Sequence, residues 1–471
     1  MEIQSWIESE RDTFIKMSEA VWGFAEINYQ EKQSAQTLAE ALEKMGFTVE
    51  RGVGDIPTAF IGSFSNGEGP VIGFLGEYDA LPGLSQEAVP YKKPRKDGAP
   101  GHGCGHNLLG VGSLAAAATV KEMLSRNEVH GTVRYYGCPA EEGGAAKAFM
   151  AKAGLFDDVD IVITWHPDAF NATVAVNFLA NYRVIFKFHG KAAHAAADPF
   201  NGRSALDAVE LMNVGVNYLR EHMIPDARIH YVITNGGGTA PNVVPAEAAS
   251  HYSVRAPRTD QLNELFERVK DIARGAALMT GTEMEYAVIS GMSNLLLNDT
   301  INQVLEEKME EVGAPKFSAE EKDFAKKISE FIPVGSLETF APVYGINAEM
   351  LAELKQGYLH EGILPFFKSN IIQPGSTDVG DVSWVAPTGQ ILTACTALGT
   401  PGHSWQTTAQ VGMGIGHRGM MYAGKVMALA GLEFLQNPAR LKEAKEEYKT
   451  RRNAAKYISP IPDGVKPPLN W

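Results

Sequence analysis

Tyr182-Arg183-Val184-Ile185-Phe186-Lys187-Phe188 is the stretch on which the reading of the fold turns. Apolar and polar residues alternate along it, the two-residue period of a half-buried strand. Behind it the order of elements is that of one architecture, and ahead of it that of another. Downstream the spacing predicts a helix over Ser204–Arg220, strands over Arg228–Thr234 and Ala248–Val254, a helix over Asp260–Met279 and a strand over Glu283–Ile289. The order β-α-β-β-α-β is the split-βαβ, ferredoxin-like signature, and its span of roughly 100 residues suits a separate small domain.

Upstream, short apolar runs at Thr48–Arg51, Ala59–Phe64, Val71–Leu75, Thr132–Gly137 and Ile161–Thr164 alternate with helical stretches, among them Ser34–Met45 and an Ala-rich run over Leu108–Leu124. Ser65-Asn66-Gly67 reads as a hairpin turn between the second and third of these strands. Strands alternating with helices predict a mixed sheet covered by helices on both faces. Beyond residue 290 come a helix over Ile301–Val312, an apolar run at Ile391–Ala397 and a helix over Met420–Leu435; residues 330–370 have weak periodicity and yield no elements. The expected organisation is an α/β domain in two parts, 1–180 and 291–471, with an inserted α+β ferredoxin-like domain over 181–290.

A chain of 471 residues exceeds one ordinary core, and 45% hydrophobic content suits globular folding. The formal net charge of −14 argues against a nucleic-acid partner. Three widely spaced cysteines, Cys104, Cys138 and Cys395, form no disulfide framework. The first residues have neither a basic nor an apolar leader pattern, and Leu108–Leu124 is short and interrupted by Lys121 and Glu122 for a bilayer span. A cytoplasmic protein without a membrane partner is the expectation.

Five sets of polar groups sit at strand ends or in Gly-rich loops: Asp79, the pair Cys104 and His106, the pair Glu141 and Glu142, His166, and His403. Each has an ordinary structural explanation when taken alone: a buried thiol, a solvated helix start, an edge histidine. All five together are hard to explain that way. Cys-Gly-His in a loop can turn both side chains to one site, and adjacent carboxylates allow one to bind an ion while its neighbour moves protons. A second set, His194, Asn242 and Arg255, lies in the inserted domain; Arg suits a carboxylate, and His and Asn can donate to an oxyanion. A hydrolase using Cys104 as nucleophile and His106 as base is the competing reading, and it leaves the carboxylates without a role.

With these motifs in view, the chain resembles the aminoacylase/carboxypeptidase-type co-catalytic metallopeptidases, in the amidohydrolase branch that includes hippurate hydrolases and plant auxin-conjugate amidohydrolases. The resemblance is carried by Leu75 to Leu81, Gly101 to Gly110, Glu141 to Gly144, Leu155 to Asp160, Gly202 to Val209 and Ser376 to Trp384, nearly end to end. It implies two divalent metal ions, Zn or Mn, held by Cys104, His106, Glu142, His166 and His403. Glu141 would be the general base, Asp79 would orient a ligand, and His194 would reach in from a partner's lid to the oxyanion. Asn242 and Arg255 would hold the substrate carboxylate. The implied reaction is cleavage of an N-acyl or aroyl amino acid, p-aminobenzoyl-glutamate first, with indole-acetyl-aspartate, hippurate-like compounds or dipeptides as alternatives. The implied assembly is a homodimer, or a heterodimer with a related subunit. One departure stands out: many relatives have a His ligand where this chain has Glu77, and an Asp bridging the ions.

Overall fold

The computed structural model describes residues 2–127, 129–173, 176–368, 371–453 and 456–469. Its larger sheet has seven strands in the order Thr48–Arg51, Phe60–Asn66, Gly131–Cys138, Val71–Glu77, Ile161–Asp168, Thr388–Ala394, Ala172–Thr173. The four strands from Gly131–Cys138 to Thr388–Ala394 run parallel, and the flanking pairings are antiparallel. The parallel strands therefore deliver all their carboxyl ends to one edge, where open α/β sheets place their ligands.

The hairpin expected at Ser65-Asn66-Gly67 does not form. Gly131–Cys138 lies between Phe60–Asn66 and Val71–Glu77, so that Asn66 pairs with Gly131 and Val71 with Thr132. The turn itself is real, with Gly67 at a φ of 80°, but the chain widens after it. Gly69 admits the intruding strand, since a Cβ there would meet the His130 carbonyl oxygen at 2.8 Å.

One face of this sheet is covered by His106–Ser125 and Gly414–Gln436, which pack against each other and close the main core. His106–Ser125, at 20 residues, is long and apolar enough to cross a membrane, contrary to the expectation that this run is too short and too charged. The fold buries it instead: most of its residues face protein. Gly112 lets it approach the sheet, where a Cβ would strike the Trp165 ring at 2.7 Å, and the Trp165 indole donates to the Leu109 carbonyl at 3.1 Å. On the other face Ala146–Lys152 and Val379–Val385 pack together in a second core.

The inserted unit has a four-stranded antiparallel sheet in the order Glu283–Met292, Ala180–His189, Glu247–Ala256, Arg228–Asn235, with Ala205–Leu219 and Thr259–Thr280 on one face. This is the ferredoxin-like arrangement. Val184, Phe186 and Phe188 turn inward to those helices with Tyr252 and Val254. Ser204 caps the first helix by accepting from the Asp207 N–H.

Residues 330–370, left without elements by the sequence, hold the short helices Ser336–Phe340 and Ala348–Leu354; positions 369 and 370 lie outside the described residues. These helices have 5 and 7 residues, too few for a hydrophobic period to show. They pack Leu337, Met350, Leu351 and Leu354 against Phe170 and Ala172 beside the open edge of the large sheet.

Candidate metal centre

Most groups at this centre are set by the end of a parallel strand or by the loop that follows it, while Cys104 and His106 sit at the start of helix His106–Ser125. Val71–Glu77 ends in Glu77 and leads to Asp79; Gly131–Cys138 leads to Glu141 and Glu142; Ile161–Asp168 carries His166; Thr388–Ala394 leads to the loop of His403. After Cys138 the chain turns sharply through Ala140 at a φ of 53°, with the Gly144 and Ala145 N–H groups donating to the Ala140 carbonyl at 2.8 and 2.9 Å. This hook aims both glutamates at the sheet edge. His403 is held at a φ of 52°, and its N–H donates to the Gly103 carbonyl at 3.0 Å, tying its loop to that of Cys104. A non-glycine residue in this region stores strain, which collects at functional sites.

Two groups of donors share one atom. The ligand atoms of Cys104, His106 and His166 lie within 4.8 Å of one another, and so do those of Cys104, Glu142 and His403. Cys104 Sγ is 3.3 Å from His166 Nε2. Glu142 Oε2 is 3.3 Å from His403 Nε2, while Oε1 is buried and unpartnered. The Asp79 carboxylate takes His106 Nδ1 at 2.7 Å and accepts the Glu142 N–H at 2.9 Å. This turns His106 Nε2 toward the cluster, where it makes no hydrogen bond although Glu77 Oε2 is 3.3 Å away. His166 is turned likewise, its Nδ1 2.8 Å from the Pro167 carbonyl oxygen. A carboxylate or carbonyl behind each imidazole is the usual support of a metal-binding histidine. Orphaned buried donor atoms and supported imidazoles fit divalent ions, which Cys104, His106, His166, Glu142 and His403 would hold.

A third group, Glu77, His106 and Glu141, also meets within 4.8 Å. Behind it lies a feature that strand-end reasoning missed. Lys147 Nζ is 2.7 Å from Glu77 Oε1 and 2.5 Å from Asp378 Oδ1, with all three side chains buried. A lysine inside the apolar run Ala146-Lys147-Ala148-Phe149-Met150 was the signal for it.

Burial, together with the charges of Glu77, Asp378 and Glu142, raises Glu141 well above the usual carboxylate range; Lys147 opposes this. Burial lowers His166 to about 4, helped by the charge of His106. The Cys104 thiol is pushed up by burial and by Glu142. A nucleophilic cysteine needs the reverse environment, so the pocket disfavours the thiol-nucleophile reading.

The cluster floors a cavity of about 450 Å³ whose wall includes Arg183 and Arg255 from the lid, Phe178, and Tyr344, Leu364 and Phe367 from the 330–370 stretch. His194 and Asn242 do not line it. Both are exposed on adjoining lid loops, with His194 bridged to Val243 and the Ala195 N–H donating to the Asn242 carbonyl at 2.9 Å. A single chain brings Arg255 to the cavity and leaves His194 and Asn242 outside it.

A mixed α/β sheet with an inserted ferredoxin-like lid and two ion-binding triads at the strand ends defines a co-catalytic metallohydrolase. The chain belongs to peptidase family M20/M25/M40, whose model matches residues 73–332, and it is a metal-dependent hydrolase acting on amide bonds. It is 43% identical over 471 residues to one subunit of the p-aminobenzoyl-glutamate hydrolase of Escherichia coli (strain K12), covering 99% of this chain and 98% of that protein. It is also similar to the other named subunit of that hydrolase, with 31% identity over 241 residues, 48% of this chain and 54% of that one. In fold it matches a dinuclear metal-binding peptidase of family M20 from Bacillus subtilis with a TM-score of 0.57 at 17% identity, covering 91% and 99% of the two chains.

Proposed function

We propose that the chain hydrolyses an aroyl or acyl amino acid, p-aminobenzoyl-glutamate foremost, in the cytoplasm, with two Zn or Mn ions. The observation that carries this is the pair of ion-binding triads sharing Cys104 on the floor of a cavity with aromatic walls and two arginines. The name of the relative at 43% identity supports the choice of substrate, and three free cysteines suit a reducing compartment.

Cys104, His106, His166, Glu142 and His403 would hold the ions, with Asp79 fixing His106. Divalent ions held there supply Lewis acidity toward water and the amide carbonyl. Glu141 takes the proton from the attacking water and returns it to the leaving amine nitrogen; its raised affinity for a proton fits both halves of that task. Arg255 of this chain's own lid holds the substrate carboxylate, and Asn242 of the partner subunit, on the loop adjoining His194, joins it there.

His194 of the partner subunit donates to the carbonyl oxygen as charge builds there. In this chain His194 Nδ1 accepts the Ala196 and Ala197 N–H groups at 3.2 and 3.1 Å, so the neutral ring carries its proton on the outward Nε2. Two lid features support a second copy or relative in the assembly. Strand Arg228–Asn235 ends its sheet with Val232 and Ile233 exposed, and helix Ala205–Leu219 exposes Leu211, Val214 and Tyr218. An edge and an apolar face of this kind are suited to burial against another chain. That chain is a second copy of this one or a relative resembling the shorter-matching hydrolase subunit, and gel filtration of this chain with and without such a relative distinguishes them.

Glu141→Gln tests the assignment. The variant retains its ions by elemental analysis and loses about 10³-fold or more in kcat. Unchanged turnover would remove Glu141 from the reaction.

A further inference from the structure

The hook that carries Glu141 is gripped from a part of the chain that the strand-end motifs did not reveal. Residues 26–31 link helix Arg11–Phe24 to helix Lys32–Lys44. They lie beside the Asp79 loop, where Ile27 bridges Ala80 and the Ala80 N–H donates to the Glu26 carbonyl at 2.7 Å. From there Glu31, fully buried, reaches the start of the hook. Its Oε1 accepts the Ala140 N–H at 2.9 Å and the Tyr29 N–H at 3.0 Å, and its Oε2 is 3.3 Å from the Thr58 hydroxyl. Tyr29 holds the other end. Its hydroxyl donates to the Gly144 carbonyl at 2.7 Å, and its ring lies where a Cβ on Gly144 would meet it at 2.3 Å.

This grip is costly. Tyr29 sits at a φ of 60° and Ala140 at 53°, both in the left-handed region. Burial and the charge of Asp79 raise Glu31 to about 8, against the pull of its backbone N–H partners. What these costs secure is the turn of Glu141, which directly follows Ala140. Glu142 has an anchor of its own, since its N–H donates to Asp79 at 2.9 Å. We infer that Glu31 is a positioning residue for Glu141: together with Tyr29 it clamps both ends of the hook and fixes where that carboxylate stands relative to the ion cluster. The inference rests on the amidohydrolase reading above and adds what aims its general base.

The test uses the full chain loaded with Mn²⁺ at pH 7, with p-aminobenzoyl-glutamate as substrate. Glu31→Met keeps the bulk of the side chain and removes the acceptor; Glu31→Gln keeps an acceptor oxygen. In the methionine variant kcat per folded chain should fall about 10²-fold, the cost of a misplaced catalytic group, with KM within about twofold and the ions retained by elemental analysis. Hydrogen exchange at the Ala140, Gly144 and Ala145 amides should quicken. The glutamine variant should restore slow exchange and bring kcat to within about tenfold of wild type. A merely structural role would lower Tm and leave kcat per folded chain unchanged, and that result overturns the inference. So does a glutamine variant as impaired as the methionine one, or a rise in KM at constant kcat. If the methionine variant fails to fold, Tyr29→Phe carries the comparison: it loses one hydroxyl, kcat should fall about tenfold, and a wild-type kcat overturns the inference. Exchange separates the two readings. A wild type that cleaves no N-acyl amino acid sinks the amidohydrolase, and quickened exchange in Glu31→Met that Glu31→Gln reverses still upholds the clamp. Turnover by the wild type with kcat and exchange unaltered in Glu31→Met sinks the clamp and leaves the amidohydrolase standing.

Discussion

The two halves of the site handle charge in opposite ways. At the ends of the large sheet the chain supplies its own partners: Lys147 lies between Glu77 and Asp378, and Asp79 backs His106. In the lid, Arg255 leans on the Ser253 hydroxyl and the Pro374 carbonyl, and His194 and Asn242 face solvent. One half is assembled by folding. The other leaves groups at the surface that, on the proposed reading, a substrate and a second subunit would complete. Substitutions in the first half should therefore show in stability, and those in the second in turnover alone.

The largest effect should come from breaking the assembled half. Lys147→Met leaves two buried carboxylates facing each other, at a cost of about 3–5 kcal/mol. It also releases Glu77, which lies 3.3 Å from His106 Nε2. The expected outcome is a clear fall in Tm and fewer than two ions retained per chain after dialysis. A double-mutant cycle with Asp378→Asn should recover part of the loss, because the second substitution removes one stranded charge. A lysine variant with wild-type Tm would mean that this half is not locked by charge.

The same contrast explains what the sequence could disclose. Glu142, His166 and His403 were legible because an apolar run followed by Gly or Pro marks a strand end, and strand ends in such sheets meet at one edge. The lid was legible because alternation along Tyr182–Phe188 and the order of its elements are local properties. The place of Gly131–Cys138 was not, since its partner Phe60–Asn66 lies some 70 residues away and nothing local to Asn66 and Gly67 reports an intruding strand. Lys147 was hidden because ion-binding motifs are made of groups that can hold an ion, and its task is to neutralise them. Arg183 was in plain sight on the outward face of the strand. What brings it to the cavity beside Arg255 is the register, a relation between strands about 70 positions apart.

A smaller effect, confined to turnover, is expected from the unfinished half. His194 is exposed, so His194→Ala should leave Tm unchanged and reduce kcat about 10²-fold, the worth of one oxyanion donor. Mixing variants sharpens this. In a homodimer with crossed sites, a mixed pair of Glu141→Gln and His194→Ala chains contains one intact site, with Glu141 from one chain and His194 from the other. Random exchange of two nearly inactive preparations should then restore about a quarter of wild-type activity, since half the dimers are mixed and half their sites intact. No recovery, with exchange verified, would mean that each chain uses its own His194.

The smallest effect lies at the junction between the halves. Asp381 is buried and accepts from the Ser293 N–H at 3.0 Å, the Ser293 hydroxyl at 2.8 Å and the Tyr457 hydroxyl at 2.8 Å. Ser293 directly follows the last lid strand. Asp378, three positions earlier, has Lys147; Asp381 has neutral donors. Burial therefore raises Asp381 from an ordinary 3.8 to about 7, with the charge of Asp378 adding to the rise and the Ser293 and Tyr457 bonds opposing it. The folded value is above the unfolded one, so the folded chain holds this proton more tightly. That contribution is full below pH 4 and is lost as pH rises through 7. Between about pH 6 and pH 8 the loss amounts to roughly 1.4 kcal/mol, one pKa unit. Asp381→Asn removes the titration, so the stability difference between wild type and variant should shift by that amount in the variant's favour over this range, measured by urea unfolding at each pH. A difference independent of pH would mean that Asp381 is ionised throughout, with a compensating charge at the lid junction like the one at Asp378.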